Sequence, residues 1–171
     1  MIDSTHSVQV DLGPRSYQIS IGTRILDRVG SVVGSCCPTQ HAVVVTDENV
    51  EQPHAMNVAK SLQETGVQTD LVVLPSGEST KSIEVAEQLW KKCLEVEVNR
   101  KSIIVAVGGG VIGDLAGFIA ATYARGLRFL QIPTTLLAQV DSSVGGKVGI
   151  NLPDAKNMVG AFWQPAGVLI D

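Results

Sequence analysis

Residues 133–165 read PTTLLAQVDSSVGGKVGINLPDAKNMVGAFWQP and set Asp141, Lys147, Lys156 and Asn157 among glycines, behind paired hydroxyls at Thr134 and Thr135. Lysines flanked by glycine have open space in which to meet an anionic ligand. Two threonines at a strand end can donate to a phosphate or a sugar. Any single lysine here is more simply read as a solvated loop residue. The whole constellation is not, because neither a core segment nor a solvated loop needs that mix.

A second chemistry-bearing stretch lies upstream. Gly108, Gly110 and Gly113 satisfy G-x-G-x-x-G, and Gly109, Gly110 and Val111 sit where an apolar run gives way to a helical pattern. A strand ends, glycines let the backbone approach a ligand, and a helix begins. Unpaired N–H groups and aligned peptide dipoles at such a helix start favour an anion, a pyrophosphate above all. The letters alone also fit a tight turn with no ligand. The ribose-binding carboxylate expected about 20 residues later is missing, since that window reads Arg128-Phe129-Leu130-Gln131-Ile132-Pro133. The turn also falls in the second half of the chain, which is not the standard dinucleotide-binding arrangement.

Two further loops follow apolar runs: Thr46-Asp47-Glu48-Asn49 and Pro75-Ser76-Gly77-Glu78-Ser79-Thr80-Lys81. A carboxylate in such a loop can accept hydrogen bonds from ribose hydroxyls. Taken singly, Asp47 and Glu78 are equally well read as helix caps or solvated turns. Loops that leave one edge of a parallel sheet share one crevice, however, so several of them can hold one ligand.

The elements that would position these loops are legible from periodicity. Residues 8–21 alternate around Gly13-Pro14, which predicts a β-hairpin. Helical spacing covers residues 24–33. Residues 41–46 form a short apolar strand buried on both faces. A helix is expected over 53–65, with Pro53 in its first turn and Gly66 as its stop. Strand 71–74, helix 82–96 and strand 102–107 follow. Residues 111–124 form a helix apolar nearly all round, hence central, in which Gly113 and Gly117 permit close packing. A strand over 129–132 leads into the polar, glycine-rich stretch, and 167–170 closes the chain as a last strand. Short apolar strands alternating with helices indicate an α/β fold with a mostly parallel sheet.

Totals bound the rest. The 171 residues suit one domain. A hydrophobic fraction of 44% with 18% charged residues is a globular balance. A net charge of -4 without a basic stretch argues against a nucleic-acid partner. The N-terminus MIDSTHSVQV has no basic, apolar targeting pattern, and no apolar run is long enough for a membrane span. Three cysteines, two adjacent at Cys36 and Cys37, give neither a disulfide framework nor a zinc spacing. Free thiols in a reducing cytoplasm are the expectation.

GGGVIGDLAGFIAATYARG, IPTTLLAQVDSSVGGKVGIN and KNMVGAFWQP resemble the signature of 3-dehydroquinate synthases, with residues 134–151 the most specific part. The likeness covers nearly the whole chain. It implies a Rossmann-like, mostly parallel sheet flanked by helices, an NAD-binding N-terminal domain over 1–171, and a helical metal-binding domain outside these residues. It implies that Asp47 and Asn49 contact the adenosine side of NAD, joined by Ser76, Gly77, Glu78 and Lys81. Gly109, Gly110 and Val111 would cradle the pyrophosphate. Asp114, Thr134 and Thr135 would lie along the nicotinamide half. Asp141, Lys147, Lys156 and Asn157 would line the junction with substrate. Arg125 would reach substrate phosphate across a homodimer interface. The substrate implied is a seven-carbon keto acid phosphate, which is oxidised, loses phosphate, is reduced and then cyclises. Lysines would hold its carboxylate and phosphate and stabilise developing negative charge.

The resemblance also implies a divalent metal, zinc or cobalt, held by one glutamate and two histidines. His6, His41 and His54 match no such spacing and read as structural or exposed residues, so no metal ligand is expected in this chain. The chain by itself is therefore expected to bind NAD weakly and not to turn over substrate. Three other readings stay open. One is half of another sugar-phosphate cyclase, such as a deoxy-inosose or valiolone synthase. Another is half of a metal-dependent alcohol or glycerol-phosphate dehydrogenase. The third is a non-catalytic nucleotide-binding module.

Overall fold

The computed structural model describes residues 5–171. Strands β1 (His6–Val10) and β2 (Tyr17–Ile21) form the expected antiparallel hairpin, with Val10 opposite Tyr17. Then come α1 (Val29–Cys36), β3 (His41–Asp47), α2 (Met56–Glu64), β4 (Gln68–Leu74), α3 (Ile83–Glu95), β5 (Ile103–Gly108) and α4 (Gly110–Thr122). The chain continues through β6 (Arg128–Pro133), β7 (Lys147–Leu152), β8 (Ala155–Phe162) and β9 (Gly167–Ile170).

The main sheet has the order β1-β2-β9-β6-β5-β3-β4, and every pairing except β1 with β2 is parallel. Its central strands are buried on both faces. Val43, Val45, Ile104 and Ala106 point to the side covered by α3 and α4. Ala42, Val44, Ile103, Val105 and Val107 point to the side covered by α1 and α2. Both faces must therefore be apolar, which is why these strands read as continuous apolar runs. From β3 the chain steps outward to β4, returns past β3 to β5, and then proceeds the other way to β6 and β9. The reversal lies between β3 and β5, and in an open α/β sheet ligands bind beyond the strand ends at that point.

Three expectations need correction. The helix expected over 53–65 begins only at Met56. Residues Glu51–Ala55 form a wide turn, in which Gln52, before a cis Pro53, is extended at φ -108° and ψ 130°. A residue preceding proline is disfavoured in the helical region, so the helix starts after it. The pattern over 24–33 resolves into a 3-10 turn, Ile25–Arg28, followed by α1, because Arg24 is left-handed at φ 56°.

The largest correction concerns the polar stretch. Much of it is the β7–β8 hairpin, which forms a separate two-stranded sheet. Val148 and Ile150 are buried in the α3–α4 core, with Val159 and Ala161 packed against it. Strand alternation was masked because Gly149 faces Gly160 across the pair, and a Cβ on either would strike the opposite backbone.

The apolar helix α4 is central as expected, enclosed between the main sheet and this hairpin. Gly117 makes that possible: a Cβ there would collide with Val148 Cγ1 and approach Phe129 Cε1 to 3.0 Å. Gly117→Ala should therefore lower stability by about 1–3 kcal/mol through overpacking. Urea denaturation should show a reduced midpoint with an unchanged α/β circular-dichroism spectrum. An unchanged midpoint would mean the hairpin does not bear on α4 as described.

Candidate cofactor and substrate site

Strand β5 ends at Gly108, Gly109 is extended at φ -73° and ψ -171°, and α4 begins at Gly110 with no side-chain cap. The leading N–H groups of a helix have no intrahelical acceptors. Here they lie at the carboxyl-terminal edge of the sheet, with the segment after β6 packed beside them and a space of only about 10 Å³ between. The turn is tightly flanked. A Cβ on Gly109 would lie 3.3 Å from Thr135 Cγ2, and one on Gly110 would lie 3.2 Å from Ser142 Oγ. Gly108 is required for packing instead, since a Cβ there would meet Ile112 Cβ at 2.8 Å. Thr134 N donates to Gly108 O at 3.0 Å and ties β6 to the turn. Thr134 Oγ1 is buried without a partner among the described residues. A buried hydroxyl of that kind calls for a ligand or water. The uncapped helix start, the glycine turn and this hydroxyl are the groups at this edge able to donate to or accommodate a phosphate.

A side-chain network connects α4 to the neighbouring loops. Lys81, only 4% exposed, donates from Nζ to Asp114 Oδ2 at 2.5 Å and to Asn157 Oδ1 at 2.5 Å. Asn151 Nδ2 donates to Glu78 Oε1 at 2.6 Å, and Asn157 N donates to Asn151 Oδ1 at 2.9 Å. Asn151 N also donates to Lys81 O at 2.8 Å. Asn157 is left-handed at φ 58°, a conformation that asparagine tolerates better than most side chains. Burial pushes the Asp114 carboxyl above its ordinary value; Lys81 opposes that shift, and Glu78 and Asp141 reinforce it.

The expected residues are brought together in most cases. Asp47 ends β3, and its Oδ1 accepts from Asn49 N at 2.9 Å. Ser76 Oγ donates to Glu48 Oε1 at 2.9 Å, which joins the loops after β3 and β4. Gly77 has φ 107°, so a residue with a side chain would be strained there. A cleft of about 600 Å³ is lined by Asp114, Asp141, Lys147 and Asn157. A neighbouring one of about 490 Å³ takes in Glu78, Lys81, Asn151 and Lys156. Lys81 does not project as a free loop cation; it is a buried strut whose amine holds two oxygens. Arg125 is not brought to this edge within the chain. It lies past the far end of α4, roughly 20 Å of helix from Gly110.

Asn151 and Glu48 are the residues that sequence reasoning missed. Nothing in their spacing marks them, because their partners lie on other loops. His41 is structural as expected, with Nε2 on Asp70 Oδ2 at 2.8 Å and Nδ1 on Ser102 Oγ at 3.2 Å. Among the described residues no group of three His, Cys, Asp or Glu side chains is placed to hold a metal. No helix of the described residues is long and apolar enough to cross a membrane.

Residues 71–171 match the family described as 3-dehydroquinate synthase N-terminal. The 3-dehydroquinate synthase of Rhodopirellula baltica is 48% identical, over 100% of this chain and 47% of its own length. That of Enterococcus faecalis is 49% identical, over 95% of this chain and 45% of its own. The chain thus spans about half the length of the curated relatives it matches. Among solved structures, a 2-deoxy-scyllo-inosose synthase complexed with carbaglucose-6-phosphate, NAD+ and Co2+ superposes with a TM-score of 0.90. It is 27% identical and covers 97% of this chain and 45% of its own. The 2-epi-5-epi-valiolone synthase of Streptomyces hygroscopicus, with NAD+ and Zn2+ bound, gives 0.79 at 26% identity, covering 97% and 45%. These likenesses bear out the α/β architecture with its hairpin and mostly parallel sheet.

The raised Asp114 carboxyl has a testable sign. The fold favours its protonated form, so that contribution is fully present below the ordinary 3.8 and is lost as pH rises through the raised value. Carbon-detected NMR titration should place its midpoint above 3.8, and Lys81→Met should move it higher still. Lys81→Met should also cost about 3 kcal/mol at neutral pH, because it strands a buried carboxylate. A midpoint at or below 3.8 in the unaltered protein would contradict this electrostatic account.

Proposed function

The chain belongs to the 3-dehydroquinate synthase family, and from that premise we propose that it is the NAD-binding half of such an enzyme. The parent reaction on this reading converts 3-deoxy-D-arabino-heptulosonate 7-phosphate to 3-dehydroquinate and phosphate, a step of the shikimate pathway toward aromatic amino acids. The observation that carries the reading is convergence. The loops after β3, β4, β5 and β6 leave one sheet edge at its topological reversal, and the β7–β8 hairpin is tied to them through Lys81, Asn151 and Asn157.

Asp47 and Asn49 hold the adenosine side, and Ser76, Gly77 and Glu78 close on it from the next loop. Gly109, Gly110 and Val111 take the pyrophosphate on the start of α4. Thr134 and Thr135 donate along the nicotinamide half, beside Asp114. NAD, when bound, supplies the transient oxidation of a secondary alcohol. Asp141 and Asn157 orient that alcohol in the 600 Å³ cleft. Lys147 and Lys156 hold the anionic groups and stabilise charge as it develops. Lys81 fixes Asp114 and Asn157 relative to each other. Arg125 acts on substrate phosphate in a homodimer, since it cannot do so within its own chain.

Among the described residues no group of His, Cys, Asp and Glu side chains fits a divalent metal. On this reading the 171 residues hold the cofactor and do not by themselves turn over substrate. Another sugar-phosphate cyclase remains the second reading, favoured by the 0.90 superposition on the inosose synthase. The 27% identity there against 48% with a dehydroquinate synthase weighs against it.

Titration calorimetry should show NAD binding to the chain at millimolar cofactor or below. Gly110→Val should weaken it at least about tenfold, or about 1.4 kcal/mol, because its side chain enters the space beside Ser142. Absence of heat at millimolar NAD would overturn the cofactor reading. Phosphate release from the keto acid phosphate by the chain alone would overturn the inactivity reading.

A further inference from the structure

The opposite, amino-terminal edge of the sheet carries a groove of about 480 Å³ whose lining includes Arg15, Cys36, Arg100, Arg128, Phe162 and Trp163. No acidic residue lines it among the described residues. Helix α1 ends here. Cys36 is its last residue and is exposed, while Cys37 is buried at 1% exposure in the core beneath it. The two sulfurs are 3.2 Å apart. The pair is held in place: Cys37 N donates to Val33 O at 2.9 Å, and Arg128 Nη1 donates to Pro38 O at 2.9 Å. A guanidinium is thereby fixed beside the thiols. The remaining cysteine, Cys93, is buried in α3 on the other face of the sheet.

We propose that Cys36 and Cys37 form a vicinal dithiol that hydroperoxides oxidise reversibly, with Cys36 as the attacking sulfur and Cys37 as the resolving one. The asymmetry of the pair assigns the roles. Cys36 is open to the groove, and its thiol is lowered to about 7 by the hydrogen bond from Cys37, with Arg128 assisting. As the donor of that bond, and by burial, Cys37 is pushed up. Cys93 is raised to about 11 by burial alone. Thiolate character with exposure, beside a resolving thiol, is the chemistry of peroxide-sensitive cysteines.

In the first step the Cys36 thiolate attacks the distal oxygen of the hydroperoxide. An S–O bond forms, the O–O bond breaks, and the alkoxide or hydroxide leaves with a proton from solvent. The hydrogen bond that restrained Cys37 is then lost. Cys37 attacks the sulfenic sulfur, the S–S bond forms, the S–O bond breaks, and water departs with the thiol proton. Two thiols are oxidised by two electrons and one peroxide is reduced. Neighbouring residues have Cα atoms about 3.8 Å apart, closer than disulfides usually span, so small thiols should reduce the product readily.

The site lies away from the cofactor loops, so its test is independent of NAD binding. The reduced 171-residue chain should be treated with one equivalent of hydrogen peroxide and analysed by thiol titration and peptide mass mapping. The expected result is loss of two of its three thiols, an intrachain Cys36–Cys37 bond, and recovery with dithiothreitol. Cys37→Ser should accumulate a dimedone-reactive sulfenic acid at Cys36, with Cys37→Ala as the substitute if serine is not tolerated in the core. Cys36→Ser should not react, and Arg128→Gln should slow the first step several-fold at neutral pH. Retention of all three thiols, first oxidation at Cys37 or Cys93, or disulfides between chains would each overturn the proposal.

Discussion

The Lys81 amine holds the site together. It sits almost fully buried between Asp114 on α4 and Asn157 on β8, while its own backbone carbonyl accepts from Asn151 on β7. A buried charge is tolerated only when paired and hydrogen-bonded, so this lysine admits few arrangements of its neighbours. It fixes the hairpin against the first turns of α4, the helix whose start the proposed function gives to a phosphate. The β4 loop, the helix start and the hairpin are therefore tied to one another by hydrogen bonds. Asp114 gains its ion partner at the cost of burial, and the shift of its carboxyl shows that burial is the larger effect.

Much of the main sheet was legible because its physics is periodic. The alternation over 8–21 gave the hairpin, and runs such as Val43-Val44-Val45 gave strands covered on both faces. The glycine turn and the Thr134-Thr135 pair were recognisable because strand-to-helix turns and strand ends have local signatures. The hairpin of residues 147–162 was not. Its partner positions are glycines, so the period-two signal vanished just where backbones approach most closely. The start of α2 was misplaced for a related reason, since a favourable first-turn proline can also sit in an extended turn before the helix.

The candidate site divides in the same way. Residue types marked the loops, but not which side chains face one another. Lys81 read as a loop cation, and only the fold shows that it is turned inward. Asn151 lies within the most family-specific stretch, but its contacts with Glu78 and Asn157 could not be read there, because they depend on the curl of the hairpin. Arg125 stands apart for a topological reason: α4 carries it to the end of the helix remote from the glycine turn. Belonging to a known family supplies what local chemistry cannot, namely a reason for these loops to share one ligand.

In the proposed function one dinucleotide spans the carboxyl-terminal edge of the sheet. Amide chemical-shift mapping by NMR during addition of NAD tests it most directly. The largest changes should fall on Asp47 to Asn49, Ser76 to Lys81, and Gly109 to Val111, together in one titration curve. Changes confined to the Cys36–Arg128 groove, or to one of those loops without the others, would contradict it.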